Sequence, residues 1–148
     1  MRIVHGIEVE RVEDAVREAE SHTTGEIRVA LARWYFWGDV QRAAGRAFRR
    51  LHMERTRHRN GVLVFVAGRR RALAIVGDRG IHERVGDEFW RATVSDMCAA
   101  FHGGDLTGGT VRAVETIGRA LAQHFPLGSG PNPNELPDSV AVGRQRRV

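Results

Sequence analysis

Seven side chains able to do chemistry fall beside the ends of expected strands: Glu26, Asn60, Asp78, His82, Glu83, Asp87 and Asp105. Carboxylates with an amide oxygen and no thiol suit a hard cation, Ca²⁺ or Mg²⁺, which takes oxygen ligands at about 2.0–2.6 Å. The expected metal ligands are Glu26, Asn60, Asp78 and Asp87, and the expected catalytic residues are Asp78, Asp87 and Arg59. In phosphomonoester hydrolysis such a cation neutralises the phosphate and acidifies a bound water. Arg59 or Arg79 would then grip the phosphate oxygens through forked hydrogen bonds. Each residue also has a purely structural use. Asp105 suits a helix cap, Asn60 a turn before Gly61, and Asp87 the positive end of a helix dipole. Asp78 lies in Gly77-Asp78-Arg79-Gly80, read as a tight loop that both needs and exposes its side chain.

Other chemistries lack their patterns. His82-Glu83 has no second His at the HExxH spacing, and His5, His22, His52, His58, His102 and His124 show no ligand spacing, which disfavours zinc. Cys98 lies on an apolar helical stripe and is expected in the core. No Gly-x-Ser-x-Gly elbow surrounds a serine. Gly103-Gly104 and Gly108-Gly109 lack the Lys-Ser/Thr of a phosphate loop.

The elements that must position these groups follow from hydropathy periods. Residues 7–21 carry Val9, Val12, Ala15, Val16 and Ala19 at helical spacing, and Gly25 is expected at the left-handed position that ends the helix. Residues 26–34 alternate as a half-buried strand, and Asp39 caps a second helix striped by Val40, Ala43, Ala44, Ala47, Phe48 and Leu51. The continuous apolar run 62–67 reads as a central strand covered on both faces, and 72–77 returns beside it as a hairpin. A third helix is marked from Val85 to Phe101 and a fourth from Leu106 to Phe125. The order helix, strand, helix, strand, strand, helix, helix predicts one α/β domain, a small mixed sheet sandwiched between helices. It occupies residues 1–125, with a Pro/Gly-rich tail over 126–148 expected to be flexible.

Length and charge narrow the classes. At 148 residues with 42% hydrophobic content the chain can bury a core, and its one Cys excludes an internal disulfide. No apolar run reaches the roughly 18 residues of a membrane span, and the N-terminus turns acidic where a signal peptide turns apolar, so the expected compartment is the cytoplasm. All 23 basic residues are Arg, and ten of them lie between Gln41 and Arg71 against Glu54 alone. That segment carries +9 and the remainder −4.

The motif order resembles the TPM domain family over about residues 7–125. The resemblance rests on Thr24-Gly25-Glu26-Ile27, Asn60-Gly61-Val62-Leu63-Val64, Arg71 to Gly77, the Gly77/Gly80 loop, Phe101 with Gly103-Gly104-Asp105, and Gly108-Gly109. It implies a mixed sheet between helices. It also implies one of three activities: weak phosphatase action, divalent-metal binding, or an accessory role beside other proteins. Family members often carry an aromatic ahead of the Asn-Gly motif, where this chain reads Phe48-Arg49-Arg50-Leu51-His52-Met53.

Two non-enzymatic readings stand beside the cation site. Trp34-Tyr35-Phe36-Trp37 with the Arg-rich helix suits a protein partner or a homo-oligomer contact, and Asn134-Glu135-Leu136-Pro137 suits docking on a neighbour. Nucleic-acid binding through the 41–71 arginines is disfavoured, because no nucleic-acid motif accompanies them.

Overall fold

The computed structural model describes residues 1–32, 38–68, 72–128 and 141–143. Two short strands, β1 (Ile3–Val4) and β2 (Ile7–Glu8), pair antiparallel and lead directly into helix α1 (Val9–Glu20). Then follow β3 (Glu26–Ala32), α2 (Val40–Arg50), a short 3₁₀ turn (Met53–Arg55), β4 (Gly61–Ala67) and β5 (Ala72–Gly77). Helices α3 (Arg79–His102) and α4 (Leu106–His124) and the short strand β6 (Ala141–Gly143) complete the order. The sheet order is β5-β4-β3-β6, with β4 antiparallel to β5 and parallel to β3, and β6 parallel to β3.

The period-2 pattern separates the two faces. Ile27, Val29, Leu31, Val62, Val64, Val66, Leu73 and Ile75 face α1, α3 and α4 in one buried cluster. Ala30, Ala32, Leu63, Phe65, Ala67 and Ala74 face α2 and Met53 in the other. Every residue of β4 is buried, as a central strand between two helical layers requires. The α/β sandwich expected from the sequence is the observed fold, one domain with helices packed on both sheet faces.

Local details differ in four places. The first helix starts at Val9, because residues 3–8 form the hairpin, a pair of strands too short to show a period. Gly25 is not left-handed; it is small because the Leu121 side chain packs where a Cβ would stand. The segment 77–80 is no loop: Asp78 caps α3, and Arg79 and Gly80 form its first turn. Cys98, expected in the core, is exposed, since α3 turns Met97 and Phe101 inward and Cys98 out. Helix α3 also breaks at Gly86, whose φ of 77° and ψ of 173° suit glycine alone. Two caps stand as expected: Asp39 accepts the Gln41 N–H, and Asp105 accepts the Gly108 N–H at 2.9 Å. The aromatic run 34–37 and the motif 134–137 lie outside the described residues.

Candidate strand-end site

Parallel pairing sets the start of β3 beside the start of β4, and the hairpin returns the end of β5 to the same place. Glu26 is registered opposite Gly61, the Glu26 N–H points to the Asn60 carbonyl at 3.4 Å, and the Asp78 N–H donates to the Gly61 carbonyl at 2.9 Å. Glu26, Asn60 and Asp78 therefore share one sheet end, and all three are buried.

The Asp78 carboxylate and the Asn60 amide nitrogen are already engaged. Arg59 Nε donates to Asp78 Oδ2 at 2.6 Å and its terminal nitrogen to Oδ1 at 2.9 Å, while the Arg79 N–H caps Oδ1 at 2.8 Å. The fork is charge-assisted and bidentate, and it raises the Arg59 pKa, first through the hydrogen bond to Asp78. Arg59 holds a left-handed backbone at φ 50°, and its carbonyl accepts the Gly80 N–H at 2.8 Å, so the loop before β4 is tied to the start of α3. The Asn60 side-chain amide donates to Thr24 Oγ1 at 3.2 Å, and its backbone N–H donates to Thr56 Oγ1. Glu26 is 2% exposed and also has a polar partner. A guanidinium covers the Asp78 carboxylate edge that a hard cation would take, so an ion there would have to displace Arg59.

Asp87 is not brought to this group. It is exposed beyond the Gly86 break, with Oδ1 3.6 Å from His82 Nε2. The Trp90 indole N–H donates to His82 Nδ1 at 3.0 Å, so the neutral imidazole carries its proton on Nε2. With Nδ1 accepting, Nε2 has no free lone pair for a metal. Glu83 and the Arg79 side chain point to solvent, and Asp105 serves as the cap of α4. Among the described residues no three His, Cys, Asp or Glu side chains gather as metal ligands.

Three features had no signal in the sequence. The His82–Trp90 pair spans the helix break, so it has no helical spacing. Arg28 is part-buried on the α2 side of β3, its Nε has no hydrogen-bond partner, and desolvation lowers its pKa. A cleft of about 720 Å³ runs between α2, β5 and α3, lined by Gln41, Ile75, Gly77, Trp90, Val94 and Ser95 among others.

The fold and this strand-end clasp define an α/β sandwich whose loop before β4 is latched to the start of α3 by an Arg–Asp fork. The chain belongs to the TPM domain family: the family model matches residues 3–120. It is similar to a solved structure, the NMR structure of BA42 protein from the psychrophilic bacterium Bizionia argentinensis. Identity there is 36%, with 93% of this chain and 95% of that chain covered and a TM-score of 0.82. No curated protein sequence matches. No helix among the described residues is long and apolar enough to cross a membrane.

Proposed function

We propose that this TPM domain is a non-catalytic accessory module that docks an acidic protein surface through the exposed face of α2. One observation carries this reading. Arg42, Arg46, Arg49 and Arg50 are exposed on an eleven-residue helix that contains no acid. Among the described residues none of these four takes part in an ion pair, whereas Arg2, Arg11, Arg17, Arg59, Arg91 and Arg112 do. Like charges at i,i+4 destabilise an isolated helix by about 0.2–0.5 kcal/mol per pair. Four such charges form a surface ready to accept an anionic one.

The test is fluorescence anisotropy with labelled poly-glutamate and a generic DNA duplex across a salt series. Saturable poly-glutamate binding that weakens with salt and is lost in Arg46→Glu/Arg49→Glu supports the reading. A steep salt slope with duplex alone transfers the surface to nucleic acid.

Cation binding at Glu26, Asn60, Asp78 and Asp87, with phosphomonoester chemistry on Asp78, Asp87 and Arg59, is the second reading. It draws on the gathering of Glu26, Asn60 and Asp78 at one sheet end, and it requires Asp78 to exchange Arg59 for the ion. Localised amide shifts around these residues on titration with Ca²⁺, Mg²⁺ or Mn²⁺, lost in Asp78→Asn, would establish it. Silence at millimolar metal removes it.

A further inference from the structure

Two rows of opposite charge stand on opposite sides of the sheet. On α2, Arg42, Arg46 and Arg50 recur every fourth residue and are all exposed, with Arg49 beside them. On α1, Glu10, Asp14 and Glu18 recur at the same interval, with Asp14 and Glu18 exposed and Glu10 partly so. At 1.5 Å of rise per residue each step is about 6 Å, so the rows match in length and in spacing. One helix laid along the other would set three carboxylates against three guanidinium groups.

Within one chain the rows never meet. α1 packs with α3 and α4 on the sheet face that carries Ile27, Val29 and Val64, whereas α2 packs on the face that carries Leu63 and Phe65. α2 has four arginines and no acid. α1 has five acids, one of them the buried Glu20, against Arg11 and Arg17.

The acids of the α1 row have local ties only. Arg2 pairs with Glu10 and Glu13, Arg17 with Asp14, and His22 Nε2 with Glu18 Oε1 at 3.2 Å. Arg2, Arg17 and His22 are all exposed, and water screens such pairs, so they hold weakly against a second set of guanidinium groups. Glu115 and Arg119 of α4, beside Glu18 and His22, add one charge of each sign.

We propose that the acidic partner of the α2 face is a second copy of this chain, whose α1 row seats on the arginines. This rests on the α2 docking reading and names its partner. Because each chain carries its two rows on opposite faces, the contact is head-to-tail and leaves one row of each sign open. Such a contact closes as a ring or extends as a chain, and does not end at a two-fold dimer.

The test is sedimentation velocity of the full chain over a concentration series. It is run at low ionic strength and at about 1 M salt, where the screening length is about 3 Å. Two charge-reversed variants accompany it, Arg42→Glu/Arg46→Glu on α2 and Asp14→Arg/Glu18→Arg on α1, with thermal melts confirming that each is folded. The unaltered chain is expected to form species larger than a dimer at low salt and to return to monomer at high salt. Each variant alone is expected to lose association, because its two rows now share one sign. An equimolar mixture of the two variants is expected to regain it, because every row again meets its opposite. A chain that stays monomeric at low salt overturns self-association, and poly-glutamate binding would then keep the docking reading with another partner. Association that survives only in the α1 variant overturns the α1 row as occupant while leaving α2 docking in place. Survival in the α2 variant, or loss in both without recovery on mixing, overturns the contact itself.

Discussion

Asp78 shows how a single carboxylate divides between chemistry and architecture. It caps α3 and closes a fork with Arg59, so removing it affects the fold before any reaction. Asp78→Ala is expected to cost about 1–2 kcal/mol through the lost cap and hydrogen bonds, read by chemical denaturation. Cys98 makes the opposite point. Its exposure predicts that one thiol per chain reacts with a bulky disulfide reagent without denaturant, and that Cys98→Ser leaves stability within about 0.5 kcal/mol. Glu10 gives a pH test. The Arg2 backbone N–H bonds to both of its oxygens, first among the causes that hold its pKa below the ordinary 4.5. A depressed carboxylate contributes stability above its unfolded value and loses it as pH falls through the folded one. The Arg2 amide shift should therefore titrate below pH 4.5 and stop doing so in Glu10→Gln.

At the scale of elements, α3 and β5 are fitted to each other through Trp90. Gly77→Ala would push a methyl into the indole and is expected to destabilise by about 1–3 kcal/mol, with Trp90→Leu in the same chain recovering part of the loss. A purely conformational cost would not be relieved by the second change. Helix α3 is two helical segments joined at a kink: the glycine-only geometry at Gly86 separates the Asp78-capped first turns from the long arm that carries Met97 and Phe101. That break lets His82 meet Trp90 and carries Asp87 away from Glu26, Asn60 and Asp78.

Across the whole molecule the charge is lopsided. α1 has Glu10, Glu13, Asp14 and Glu18 on its outer face, and several pair with Arg2, Arg17 and His22. The arginines of α2, across the sheet, have no such acidic neighbours among the described residues. A surface kept for binding rather than stability should stabilise when its repulsion is removed. Arg46→Glu, with Arg42, Arg49 and Arg50 within one turn, is expected to raise stability by about 0.5 kcal/mol in thermal melts while weakening poly-glutamate binding. A fall in stability would mean that Arg46 has a structural role instead.

The sequence alone determined the elements whose reasons are local. Hydrophobic period and length marked β3, α2, β4, β5 and α4, and cap chemistry placed Asp39 and Asp105, because a side chain two or three residues from its backbone partner needs no tertiary contact. The composition of the strand-end group was legible too, since strand termini in an α/β sheet are written in the hydropathy pattern. Only the tertiary structure decided what those side chains do. Arg59 and Asp78 are 19 residues apart and meet because β4 and β5 return to one end of the sheet. That meeting joins the residues expected as cation ligand and phosphate clamp to each other. The Trp90–His82 pair arises from a helix break, which no local spacing records.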